Sequence, residues 1–206
     1  MSKYNLTTYE IDIYIIQLEK IAETFSTTYL KEIENLIKDE YSHNIDYSLS
    51  LEDYEYEQLI KEVNISTLYE IQYYTISSGI IQLISLWEQQ LFKFLTKEYD
   101  CKISNKIECI KCKLKEVFNI ELDKKNFKKL LTYRDLYNTL KHGKGGYSYK
   151  KIQNTKFGKE SQIFSKKIIS ELHTGLVLNI SITDINECKN YIIEFWNILK
   201  DIIEKK

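Results

Sequence analysis

The side chains best suited to chemistry lie between Tyr133 and Gly146, in the run Tyr-Arg-Asp-Leu-Tyr-Asn-Thr-Leu-Lys-His-Gly-Lys-Gly-Gly. Arg134 is the one arginine of a chain that has 28 lysines. Asn138 follows it by four positions and His142 by four more, so on an α-helix the three side chains share one face. A guanidinium binds a phosphate through two parallel hydrogen bonds, and an imidazole exchanges its proton near neutral pH. The combination indicates phosphate chemistry.

The charge distribution around this segment is uneven. The net charge of −1 excludes an overall positive field that would attract nucleic acid. Residues 1–100 contain 7 lysines, whereas residues 101–167 contain 17 lysines and Arg134. A solvated lysine-rich face is the more common meaning of such a stretch. A surface that draws a polyanion such as RNA toward Arg134 is the alternative.

Seven residues of the segment resemble the signature of the HEPN superfamily (higher eukaryotes and prokaryotes nucleotide-binding domains): Arg134, Asn138, Lys141, His142, Gly143, Lys144 and Gly145. Members of that family are small α-helical bundles. Many are metal-independent ribonucleases that act as toxins in toxin–antitoxin, abortive-infection and other antiphage systems. Such families often carry an acidic residue on the preceding long helix, and in this chain Glu88 resembles that residue. The resemblance covers about residues 66–145 and rests on a short motif.

The resemblance implies an endoribonuclease that uses no metal and no cofactor. Cleavage of RNA without a metal needs a base for the 2′-hydroxyl proton, an acid for the leaving oxygen and a cation for the phosphorane charge. His142 would serve as base or acid, Arg134 would hold the scissile phosphate, and Asn138 would orient either of them. The implied substrate-binding residues are Lys141, Lys144, Glu88 and Asp135.

The resemblance also implies a setting and partners. One protomer offers one motif histidine, so a homodimer that joins two motifs is expected, with RNA as substrate. A partner defence protein or an antitoxin is a further expected partner. The N-terminus has no signal peptide, and no run approaches the ~18 apolar residues of a membrane span, which predicts a cytoplasmic protein without a membrane partner.

Two alternatives remain open, because seven residues separate Arg134 from His142, a wider spacing than the family usually has. In the first, the chain is a catalytically inactive HEPN-like subunit that binds RNA, nucleotide or protein within a defence complex. In the second, the motif is structural. Arg134 then pairs with Asp135 or Glu88, and His142 occupies a helix C-terminus that favours it through the helix dipole.

The elements that must position these residues are predicted to be helices. The chain has no proline and six glycines, three of which follow His142 closely, so long helices are permitted. Apolar residues at spacings of three and four predict a long helix over 8–42. A loop over 43–53 and a short acidic helix over 52–62 follow. Ser66 is the predicted N-cap of a central helix, apolar on several sides, that ends near Tyr99.

The second half of the chain predicts an amphipathic helix over 105–118 and a helix capped by Asp123 that ends at His142. The apolar stretch 176–182 is the best strand candidate, and with 162–169 it could form a hairpin. Thr183 or Asp184 is the predicted N-cap of a last helix to about 203, which completes a C-terminal strand-and-helix region over 175–204. The predicted fold is mainly α, an up-and-down bundle of about five to six helices with a small late β-hairpin, in a single domain over 1–206.

The four cysteines and the other two histidines do not indicate a second functional site. With no export signal, Cys101, Cys109, Cys112 and Cys188 are expected to be reduced. Cys109 and Cys112 form a C-x-x-C, but no second pair or nearby histidine completes a zinc site. One helical turn separates them, which predicts two small side chains facing the core. His43 and His173 have no identifiable partner in the sequence.

Overall fold

The computed structural model describes residues 3–46, 48–159 and 178–205. Within those ranges the chain is mainly helical, as predicted. The α-helices are α1 (Lys3–Glu23), α2 (Leu30–Ser42), α3 (Leu51–Glu98), α4 (Ile107–Phe118), α5 (Lys128–His142), α6 (Tyr147–Ile152) and α7 (Ile182–Glu204). Helices α1, α4, α5 and α7 surround the C-terminal half of α3, and α2 packs along the N-terminal half.

Helix α3 runs for 48 residues without a break. Ser50 is its N-cap, and the Ser50 hydroxyl accepts a hydrogen bond from the backbone N–H of Asp53. The predicted boundary at Ser66 is wrong, because Ser66 is buried in mid-helix and no proline or glycine interrupts the chain before Gly79. The short acidic helix and the central helix are therefore one element. Despite this length, none of the described helices is apolar enough to cross a lipid bilayer.

The predicted helix over 8–42 is helical throughout, with a π-helical stretch at Thr24–Tyr29 that separates α1 from α2. The hydroxyl groups of Thr24 and Thr27 donate to the carbonyl oxygens four residues earlier, a bond that often bends helices. A π-helical turn holds an extra residue and so rotates the apolar face of the helix. The buried side of α1 faces α3 and α7, while the buried side of α2 faces α3.

The last helix has the predicted apolar stripe but a different N-terminus. Ile185, Cys188, Ile192, Phe195, Trp196, Leu199 and Ile203 are buried. Ser181, rather than Thr183 or Asp184, is the N-cap. Its hydroxyl and backbone N–H form a capping box with Asp184, which is the third residue of the helix.

The predicted β-hairpin is not found in the described residues. Leu178 to Ile180 precede α7 without strand structure, and the N–H of Ile180 donates to the carbonyl of Leu178 at 3.0 Å. The N–H of Leu178 donates to the hydroxyl of Tyr73, and the N–H of Asn179 donates to the carbonyl of Phe157. Ile182, assigned to the strand, begins α7 instead. The predicted pairing segment 162–169, the start of the strand and His173 lie outside the described residues.

Two local predictions around α4 are wrong. Cys112 is exposed and Cys109 is half-buried, because Ile110 and Leu114 form the buried side of this helix. Asp123 does not cap α5. It pairs with Lys111 at 3.1 Å, and a short 3-10 turn at Lys125–Phe127 leads into α5 instead.

Gly79 provides a test of the packing between α3 and its neighbours. A Cβ added there would lie 3.0 Å from Cδ1 of Ile185 and 3.1 Å from the ring of Phe25. We expect Gly79→Val to lower the free energy of unfolding by about 1–3 kcal/mol through overpacking. The measurement is urea denaturation. Ser78→Val, at the exposed neighbouring position, is the control and should change stability little; equal effects of the two changes would contradict this close packing.

Candidate functional site

Helix α5 runs antiparallel to α3 and brings part of the predicted site together. Arg134 pairs with Glu88, and one turn further along α5 the hydroxyl of Tyr137 lies 3.4 Å from that of Ser85, one turn back along α3. Lys141 follows on the same side. Arg134, Tyr137 and Lys141, spaced by three and four residues, therefore lie on the side of α5 that faces this part of α3. Tyr133 and Leu136 are buried in the core.

The centre of the site is the ion pair between Arg134 and Glu88. Nε of Arg134 donates to Oε1 of Glu88 at 2.6 Å, and the two side chains are 19% and 24% exposed. In the described part of the chain this is the hydrogen bond that the guanidinium forms, and it uses Nε alone. The N–H groups on the two terminal nitrogens remain for another acceptor. Glu88 thus holds the guanidinium through Nε and leaves the donors of the two terminal nitrogens unused by the described residues.

An open pocket of about 550 Å³ lies on the Glu88 side of this pair, and Arg134 itself is not among its lining residues. It is lined by Ser85, Glu88, Gln89, Phe92, Ser104, Asn105, Tyr137 and Lys141. The ammonium of Lys141 donates to the Tyr137 hydroxyl at 3.1 Å and lies 4.9 Å from the centre of its ring. This contact holds a positive charge at the pocket wall. The volume falls in the range of small-molecule binding sites.

Sequence reasoning missed Tyr137 and the pocket residues Phe92, Ser104 and Asn105. Tyr137 lies one turn from both Arg134 and Lys141, so helical spacing alone could have added it to the site. Ser104 and Asn105 belong to the connection before α4, and no spacing rule joins that connection to α5. Their position follows from the way α4 packs against α3.

His142 and Lys144 lie at the exposed end of α5, away from the ion pair. His142 is the last residue of the helix and is exposed. Gly143, with φ 73°, ends the helix there, and its N–H donates to the carbonyl of Thr139 at 2.8 Å. His142 is not among the residues that line the pocket. His142 lies eight positions after Arg134, so the helical rise separates their Cα atoms by about 12 Å.

Asn138 and Asp135, the remaining predicted site residues, also lie off the pocket. Asn138 is half-buried between the ion pair and the end of α5. The carboxylate of Asp135 contacts α6. It accepts a hydrogen bond from Ser148 at 3.1 Å and pairs with Lys151 at 3.4 Å. These contacts attach α6 to α5, so Asp135 has a structural partner in this fold.

A second polar cluster fixes α5 against α7. The hydroxyl of Tyr133 lies 2.9 Å from a carboxylate oxygen of Asp184 and 2.9 Å from one of Glu187, and its single proton is shared between them. Lys156 pairs with the same carboxylates at 2.6 and 2.9 Å. Burial and the two carboxylates raise the pKa of Tyr133 far above its usual value. The hydrogen bond from Lys156 lowers the pKa of Glu187. The cluster sets the rotation of α5 one residue before Arg134.

Within the described ranges, no group of three or more His, Cys, Asp and Glu side chains is arranged to hold a metal ion. Comparisons with protein-family models, with characterised proteins and with solved structures found no match.

The ion pair predicts a measurable coupling between α3 and α5. In a double-mutant cycle with Arg134→Gln and Glu88→Gln, we expect a coupling of about 1–2 kcal/mol in the free energy of unfolding, because the pair is mostly buried. The Lys20–Glu23 pair, with side chains 77% and 60% exposed, is the control. Its coupling should stay below about 0.5 kcal/mol. Equal couplings for the two pairs would show that burial of the Arg134 pair contributes nothing.

The polar cluster predicts an acid-sensitive contribution to stability. The hydrogen bond from Lys156 lowers the pKa of Glu187 in the folded state, so in the pH window that begins below about pH 5, near the usual pKa of glutamate, the unfolded chain binds more protons at this residue. The stabilisation is complete above that window and is lost as the pH falls through the folded pKa. Urea denaturation across this range should give a shallower pH dependence for Glu187→Gln than for the unchanged chain. Glu194→Gln, at an exposed position of α7, should leave the pH dependence as it was.

Proposed function

We propose that this protein is a HEPN-like, metal-independent endoribonuclease that acts as a toxin or effector in a bacterial antiphage or toxin–antitoxin system. One observation supports the proposal above others. The guanidinium of Arg134 is held by Glu88 through Nε, so the donors on its two terminal nitrogens are left for a phosphate in the described part of the chain. A carboxylate that orients an arginine in this way prepares it to bind a phosphate without further rearrangement.

The pocket beside the pair suits the nucleotide next to the bound phosphate. Phe92 provides a half-buried ring on which a base can stack, and the side-chain amides of Gln89 and Asn105 can donate to and accept from a base edge. Lys141 adds a positive charge at the wall of the same pocket. Single-stranded RNA presents phosphates and unstacked bases together, which is the substrate that these groups match.

His142 is the proposed proton-transfer group, as base toward the 2′-hydroxyl or as acid toward the leaving oxygen. Its exposed position allows it to approach RNA that lies along α5 from Arg134, with Lys144 next to it in the following turn. Asn138 lies between the two groups and is proposed to orient one of them. A homodimer that brings together two α5 C-termini would supply a second histidine, so that one acts as base and the other as acid.

The second candidate function is a non-catalytic subunit on the same bundle that binds RNA, a nucleotide or a protein of a defence complex. The separation of His142 from Arg134, about two helical turns along α5, favours this candidate. In that case Arg134 and Lys141 still bind a phosphate, and His142 has no role in chemistry.

A cleavage assay with the purified chain and single-stranded RNA tests the proposal. We expect cleavage in the presence of EDTA, and we expect His142→Ala to slow it by about 10²–10⁴-fold, the usual cost of losing a general acid or base. Arg134→Lys should also slow cleavage, because lysine lacks the paired donors. Both variants should lose the growth inhibition that the unchanged chain causes when it is expressed in cells.

His43→Ala is the matched control, since His43 is also exposed but lies at the far end of α2. It should cleave at the rate of the unchanged chain. The binding subunit would be supported if the chain binds RNA without cleaving it. In that case Arg134→Lys should weaken RNA binding and His142→Ala should leave it unchanged. Absence of both cleavage and RNA binding would refute the ribonuclease and the RNA-binding form of the second candidate.

A further inference from the structure

The N-terminal part of α3 carries an uncovered apolar row. Tyr56 is 62% exposed, Leu59 56%, Ile60 38% and Val63 42%. Their spacing of three, one and three residues places them on one face of the helix. Contiguous exposed apolar surface of this kind marks an interaction site more often than scattered single residues do. We call these four residues the α3 row.

The contacts that attach this part of α3 to the molecule lie on a different face. Lys61 donates to the carbonyl oxygens of Tyr41 and His43, and Asn64 donates to Glu40. The first buried side chain of α3 is Ile65. The segment before it is therefore tied to the end of α2 by polar contacts, while the α3 row faces solvent.

Acidic side chains flank the α3 row. On the helix, Glu55 and Glu62 lie along one edge and Glu57 lies along the other. None of these three carboxylates forms an ion pair with the described residues, and all are exposed. Residues 51–63 contain five acidic residues and one lysine. An apolar row flanked by acidic side chains is complementary in charge to a surface whose apolar row is flanked by basic side chains.

We propose that the α3 row binds a helix of a partner protein, with apolar residues at matching spacing and lysine or arginine on both sides. Apolar side chains of the two helices would interdigitate, and opposite charges at the edges would set the pairing, as in coiled coils. A second copy of the chain suits the row poorly, because pairing two α3 rows would place acidic edges against acidic edges. The proposal is independent of the ribonuclease proposal, since no residue of the α3 row belongs to that site.

Binding of two designed peptides to the full chain tests the proposal. Both peptides are amphipathic helices with the same leucine row, one flanked by lysines and the other by glutamates. By fluorescence anisotropy, the lysine-flanked peptide should bind at least about tenfold more tightly, one factor of ten being about 1.4 kcal/mol. The charge-reversed chain with Glu55→Lys and Glu62→Lys should prefer the glutamate-flanked peptide.

Removal of apolar side chains tests whether the α3 row itself contributes to peptide binding, in addition to the acidic residues beside it. The double variant Leu59→Asn, Val63→Asn should weaken binding at least about tenfold with an unchanged melting temperature, since both positions are exposed. Ile16→Asn is the control, because Ile16 is 61% exposed on α1. Equal binding of the two peptides, no binding of either, or an equal loss in Ile16→Asn would overturn the proposal. Self-association in sedimentation that the double variant abolishes would assign the row to a second copy instead.

Discussion

Burial of the C-terminal half of α3 is the constraint on which the rest of the structure depends. Trp87 packs edge-on against Phe195 with ring centres 5.5 Å apart, and Phe94 packs against Trp196 at 5.6 Å. These rings of α3 and α7 are among the largest fully buried side chains in the described residues. Because α3 is apolar on several sides here, it requires neighbours on each of them, and α1, α4, α5 and α7 supply these neighbours.

The candidate site is a consequence of that arrangement. Once α5 lies antiparallel on α3, its rotation decides which residues meet Glu88, and the cluster of Tyr133, Asp184 and Lys156 fixes this rotation. Arg134 then reaches Glu88 in a largely dehydrated position, where one ordered hydrogen bond is stronger than at the surface. A guanidinium held in this way combines a structural role with free donors, so the structural and functional explanations of the lone arginine are compatible.

The two halves of α3 have opposite surroundings although they form one helix. After Ile65 most core-facing positions are covered, whereas the α3 row before it remains in solvent between acidic side chains. The residues that stabilise the bundle and the residues available for a partner are thus separated along one axis. A partner helix on the α3 row would lie away from Arg134 and Glu88 along α3.

The sequence by itself determined the helical class, the extent of the N-terminal helical region and the apolar stripe of α7, because these depend on local spacing and the absence of proline. It also placed Arg134, Asn138 and His142 on one helix that ends at glycine. Only the tertiary structure decided that Glu88 rather than Asp135 pairs with Arg134, and that Ser104 and Asn105 join the pocket. It also moved the start of α3 from Ser66 to Leu51. The physical reason is that pairing and pocket formation depend on how helices distant in sequence rotate and pack, which side-chain shape across the whole core decides.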